Sequence, residues 1–187
     1  MKATPDRHQA VKASRPGSRC GGFTLIELVA TMVILAALSS VGAGILITAT
    51  DGYTNASLTA QLHNEASIAM DRMVREVRSI GLDTGAGGSA PDIDTVTATS
   101  LAWGGNSSFS LSGTNIMLTK NGGTARVLLK DVSSFSVQAY DEADNTMAAS
   151  LSGTGCDTIR RLSLSVTLMR NGVSHTLRTK LFLRATM

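Results

Sequence analysis

Residues 23–47 form an apolar run of 25 residues interrupted by one charge, Glu27. As a helix this run reaches roughly 37 Å at about 1.5 Å per residue. That spans a bilayer core of about 30 Å with some tilt. A secretory signal peptide fits poorly. Its apolar region would run about 7–15 residues and end in a small-residue cleavage site, whereas here the small residues Gly21 and Gly22 come before the run. A lipoprotein reading of Cys20 also fails, since no apolar stretch precedes that cysteine.

Charge orients the segment. Residues 1–22 carry Lys2, Arg7, Lys12, Arg15 and Arg19 against Asp6, a net +4. The remaining 12 basic and 13 acidic residues sum to −1. Asp51 is the first charge after the run. The positive-inside rule then places residues 1–22 in the cytoplasm and the chain from about residue 50 outside. Because the basic excess sits in the leader, the remainder lacks the footprint of a nucleic-acid binder, and no nucleic-acid partner is expected.

Glu27 is costly where it stands. A charge at the centre of a membrane helix costs about 2.5–3.5 kcal/mol, and less near the interface. It therefore needs a partner. A cut after Gly22 creates one, because Phe23 then carries a cationic α-amino group. Glu27 lies one turn along on the same helix face. In a bundle of such helices, the carboxylate of one chain can meet the amine of the next and fix the axial stagger.

The stretch GGFTLIELVATMVIL resembles the prepilin-type cleavage and methylation motif of type IV pilins and type II secretion pseudopilins. The resemblance implies cleavage between Gly22 and Phe23 by prepilin peptidase, an aspartyl protease at the cytoplasmic membrane face. It implies N-methylation of Phe23 by the same enzyme, and it makes Glu27 the glutamate at the fifth residue after the cut, an assembly residue. The implied partners are other pilin or pseudopilin subunits, an inner-membrane assembly platform and the lipid bilayer. Two departures stand out. The leader of 22 residues is longer than the family's usual one, and the next methionine, Met32, lies inside the apolar run and cannot replace the start. Gly44 stands where many major pilins have proline. Gly42 and Gly44 either loosen the helix, since glycine disfavours helix by about 1 kcal/mol relative to alanine, or allow close helix packing.

Beyond residue 50 the period stays helical. Leu58, Leu62, Ala66, Ala69, Met73, Val77 and Ile80 form one apolar stripe, as an amphipathic helix requires. Residues 23–80 read as one long helix, with Asp51-Gly52 as a candidate interruption or kink and Gly81 as its candidate stop. Arg72, Arg75 and Arg78 are expected to be solvated or ion-paired. Residues 83–91, DTGAGGSAP, read as a loop. From residue 93 the pattern turns to β: 95–103, 108–113, 115–120, 125–130 and 132–141, with a hairpin turn at 121–123. A long terminal hairpin follows, with Asn171-Gly172 at its tip. The expected fold class is α+β: a long N-terminal helix packed on an antiparallel β-sheet. Its segments are a cleaved leader 1–22, a transmembrane and polymerisation helix 23–49, an amphipathic helix 50–82 and a β-rich periplasmic head 83–187. This order is pilin-like. The stretches RMVREVRSIG and LLKDVSSFSVQAYD and the terminal hairpin resemble J-type minor pseudopilins and W-type minor pilins.

Other chemistry is sparse. Asp141, Glu142 and Asp144, with Asn145, are weak candidates for calcium, but their spacing matches no EF-hand loop, and an exposed polar loop is the expected reading. Asp92 and Asp94 read as turn residues. His63 and His175 stand far apart in sequence and are expected to be surface or packing residues. Cys20 and Cys156 flank the membrane segment and cannot readily pair. Cys156 is expected to be unreactive or paired with another chain. No cofactor and no catalytic constellation is expected. The reading is a structural minor subunit of a type IV pilus or secretion pseudopilus. A major pilin forming the shaft, or a membrane-anchored binding or adhesion module, are the alternatives, although Trp103 is the only tryptophan and no aromatic site is evident.

Overall fold

The structure is a computed structural model that describes residues 22–85 and 90–183. Residues 1–21 of the leader, including Cys20 and the basic residues that orient the chain, lie outside the described residues, as does part of the 83–91 loop. The chain divides into two units, Met1–Thr48 and Ala49–Met187.

One helix, α1 (Leu25–Arg78), crosses that division. It passes through Gly42, Gly44 and Asp51-Gly52 without a break, in agreement with the reading of residues 23–80 as one long helix, and the candidate interruption at residues 51–52 is not used. No neighbour approaches within 4 Å of where a side chain on these glycines would sit, and Thr54 Oγ1 returns a hydrogen bond to the Asp51 carbonyl at 3.0 Å. The helix also ends before Gly81. Its last turn closes when the Ser79 hydroxyl donates to the Glu76 carbonyl at 2.7 Å. Gly81 belongs to the exit loop, where Asp92 N–H donates to its carbonyl at 3.0 Å.

In the second unit, α1 packs through the stripe read from the sequence. Leu62, Ala66, Ala69, Met70, Met73, Val77 and the following Ile80 are buried. Glu76 is buried among them. Its carboxylate accepts from Lys120 Nζ at 2.9 and 3.2 Å and pairs with Arg72 at 2.7 Å.

The stripe meets two antiparallel sheets rather than one. Strands β1 (Ile93–Thr97), β2 (Ser100–Trp103), β3 (Ser107–Ser112), β4 (Asn115–Thr119), β5 (Arg126–Leu129) and β7 (Leu151–Ser152) form a six-stranded sheet in the order β5-β4-β3-β2-β1-β7. Strands β6 (Val132–Tyr140), β8 (Arg161–Arg170) and β9 (Val173–Phe182) form a second sheet in the order β6-β8-β9. Residues 95–103, expected as one strand, split into β1 and β2. Thr97 and Ser100 pair across a tight turn, with Thr97 Oγ1 2.6 Å from Ser100 Oγ. Thr99 N–H donates to Thr97 Oγ1 at 3.3 Å, so local hydroxyl bonding bends the chain where strand propensity alone would extend it. The short β7 and the 3-10 turn Gly153–Cys156 carry no period for a sequence reading to find.

The terminal hairpin forms as expected. Asn171 (φ 52°) and Gly172 (φ 79°) take the left-handed conformations of a two-residue turn. Leu162, Leu164, Val166 and Leu168 of β8 are buried on one face, and β8 and β9 stay in unbroken register from Arg170↔Val173 to Arg161↔Phe182. Trp103 and Phe109 pack with ring centroids 4.9 Å apart in the same core. The architecture is pilin-like α+β.

Candidate processing and assembly site

The N-terminal turn of α1 is built by Thr24. Its carbonyl accepts from Glu27 N–H at 3.1 Å and from Leu28 N–H at 3.2 Å. Its hydroxyl accepts from Glu27 N–H at a longer 3.4 Å. Thr-Leu-Ile-Glu thus occupies the positions of a capping box, threonine at the cap and glutamate three residues on. An acid there is also favoured by the partial positive charge of the helix start, so part of the reason for a carboxylate at this end is local. The carboxylate itself is exposed and has no hydrogen-bond or ion-pair partner among the described residues.

Gly22 and Phe23 precede the helix, and Phe23 is 76% exposed. Every residue from Gly22 to Asn55 is exposed, including Leu25, Ile26, Val33, Leu38 and Ile45. Several hydroxyls in this stretch bond back onto the helix. Thr31 donates to the Leu28 carbonyl at 2.9 Å, Ser39 to Leu35 at 2.7 Å and Thr48 to Gly44 at 3.0 Å. A helix that turns hydroxyls back onto its own backbone and, Glu27 aside, shows no charge from residue 23 to residue 47 fits hydrocarbon or other such helices.

The remaining candidates have other occupations. Asp141 accepts from Asn145 N–H at 2.8 Å and from Asn145 Nδ2 at 3.0 Å, which draws its pKa down. Asp144 is held by Lys180 and by Arg161 (2.8 Å), which likewise hold its carboxyl below the usual range. The loop is therefore a pinned turn over β8 and β9, and among the described residues no cluster of three or more acidic, histidine or cysteine side chains is arranged to hold a metal. Asp94 accepts from Gly105 N–H at 2.8 Å, inside β1 rather than in a turn. Burial, then the neighbouring Asp94 and Asp83, push the Asp92 carboxyl up.

Cys156 is fully buried, and burial and then Asp157 raise its thiol pKa. Pairing with another chain, one of the two expected fates, is closed to a thiol so placed. His63 and His175, far apart in sequence, meet in space: Nδ1 of His63 lies 3.0 Å from Nε2 of His175. The contact ties α1 to β9. Strand parity held the clue, because His175 lies on the same face of β9 as Leu177 and Leu181.

Glu76 went unmarked at the sequence level. It occupies a stripe position, between Met73 and Ile80, and a charge at such a position is the one signal that could have found it.

Residues 17–43 match the prokaryotic N-terminal methylation motif of type IV pilins and pseudopilins. The motif implies processing by prepilin peptidase and assembly with pilins. Together with the apolar helix it fits anchoring in the inner membrane before assembly. No curated protein matches the chain.

Proposed function

We propose that the chain is a structural subunit of a type IV pilus or a type II secretion pseudopilus, in a minor position. The precursor inserts with its N-terminus in the cytoplasm. Prepilin peptidase cuts between Gly22 and Phe23 and methylates Phe23. The mature chain then waits in the membrane with residues beyond about 50 in the periplasm, until the assembly platform draws it into a filament. The apolar helices pack together there, and Glu27 meets the α-amino group of a neighbouring subunit.

One observation carries this reading: a methylation motif opens a helix whose apolar surface and single carboxylate are uncovered within the chain. A minor rather than a shaft position is supported by the likeness of the head to J-type and W-type subunits. It is also supported by Cys156, which is buried without a disulfide where many major pilins close a C-terminal loop. Gly42 and Gly44 provide either give in the helix or close packing.

Glu27→Ala tests the assembly step. The variant is expected to reach the membrane at wild-type level and to be absent from sheared filaments of a host that makes the wild-type neighbours. Equal recovery of variant and wild-type chain in the filament fraction would remove Glu27 from the assembly mechanism.

A further inference from the structure

The second sheet has two outer strands, and the fold treats them differently. The outer edge of β6 is covered by the first sheet. Val132 N–H donates to the carbonyl of Thr114 and Val137 N–H to that of Ala98, each at 2.9 Å, both acceptors lying in hairpin turns. Nothing comparable covers β9. It pairs with β8 on one side and with no strand on the other among the described residues.

The direction of its backbone groups follows from the register. Leu183 N–H donates to the Arg160 carbonyl of the β8 side at 2.9 Å. Val173 closes the two-residue turn against Arg170, a position that is hydrogen-bonded in such hairpins. Odd-numbered residues of β9 therefore face β8. Because antiparallel partners alternate, Ser174, Thr176, Arg178, Lys180 and Phe182 turn their N–H and C=O groups outward. The close Thr167–Thr176 hydroxyl pair, 2.9 Å apart, fits a non-hydrogen-bonded position.

Long free edges are usually blunted by proline, a bulge, shortness or charged side chains, and of the two cations at outward positions of β9 Lys180 is already neutralised by Asp144. The strand β9 has ten residues, no proline, no glycine and no bulge against β8. The other outer strands differ: β5 has four residues next to an irregular register, and β7 has two. At the middle of the β9 edge stands Arg178, exposed and without a partner among the described residues.

We propose that β9 is a docking edge on which an extended strand of a different filament subunit adds to the β6-β8-β9 sheet, carrying a carboxylate opposite Arg178. Strand addition satisfies the outward backbone groups, and alternate side chains give specificity. A second copy of β9 is the poorer occupant. Laid antiparallel with Ser174 opposite Phe182, it sets Arg178 against itself, and like charges directly opposed destabilise a pair. The proposal rests on the chain being a filament subunit.

The test is residue-resolved amide hydrogen exchange of the full mature chain, first alone in detergent micelles and then in filaments from its host. In micelles the amides of Thr176, Arg178 and Lys180 are expected to exchange freely while those of Leu177 and Thr179 are protected. In filaments the first three are expected to slow by at least about tenfold. Free exchange at those three amides in filaments would overturn the proposal. So would their protection in a micellar dimer of the chain alone, which would make the occupant a second copy. Absence of the chain from filaments would instead overturn the functional reading beneath it. Thr176→Pro gives a second arm, since it deletes an outward N–H without a β8–β9 bond. It is expected to leave the circular dichroism spectrum unchanged and to lower recovery in filaments at least about fivefold, whereas Thr176→Val retains both.

Discussion

Leu35 and Leu62 lie on one helix and meet opposite fates: the first is 62% exposed and the second fully buried. The acids on that helix divide in the same way. Glu27 stands uncovered with no partner among the described residues, while Glu76 is buried beneath Arg72 and Lys120. In the stretch from residue 23 to 47 apolar side chains cover the helix all round. From residue 58 onward they form one stripe facing two sheets. A helix that is apolar all round must be covered from outside the chain, by lipid or by similar helices, whereas a striped one is covered by its own fold. The comparison assigns the two parts of α1 different work. The first is an apolar surface that its own fold leaves uncovered, and the second is the spine of a domain.

The comparison breaks most sharply at Glu76. Replacing both Arg72 and Lys120 by alanine turns it into a buried acid without a cation. The expected loss is about 3–5 kcal/mol in denaturant unfolding of the head. Glu76→Gln, which leaves two half-exposed cations behind, is expected to cost less. A double variant as stable as wild type would show that the carboxylate does not depend on the pair.

A paired truncation sharpens it. Met73→Ala opens a cavity at a fully buried position and is expected to cost the head about 2–5 kcal/mol. Leu35→Ala is expected to leave head stability within about 0.5 kcal/mol and to act on filament recovery instead. Equal losses from the two would mean that the halves of α1 are not separate in function.

The smallest effect is expected away from α1. Gly172→Ala forces an alanine into φ 79° at the hairpin tip, at a cost of about 1–2 kcal/mol. An unchanged unfolding midpoint would mean that the turn relaxes to another type.

Much of this division was legible in the sequence because it is written in periods. Leu62, Ala66, Ala69, Met73 and Val77 recur at helical spacing, and all are buried. Leu162, Leu164, Val166 and Leu168 alternate, and all are buried. Asn171-Gly172 named its own turn. What was missed has no period. The Ala98-Thr99 turn depends on hydroxyl bonds between residues that favour strands. The continuity of α1 through Asp51-Gly52, by contrast, was read from the sequence as one long helix, and reflects the cooperativity of that helix outweighing one weak residue. The meeting of His63 with His175, and of Glu76 with Lys120, is set by tertiary packing across 112 and 44 residues of chain. At the candidate site, residue types and spacing nominated Gly22, Phe23 and Glu27, whereas the capping position of Thr24 emerged only from backbone geometry.

The central claim is that the apolar half of α1 becomes an assembly surface once the leader is removed. Intact-mass spectrometry of the protein from membranes of its native host tests it most directly, with Gly22→Val as the processing-blocked control. The account predicts a wild-type chain that begins at Phe23 and carries one added methyl group, and an uncut precursor in Gly22→Val. A wild-type chain that keeps residues 1–22 and lacks the methyl group would contradict it, and would make α1 a plain membrane anchor.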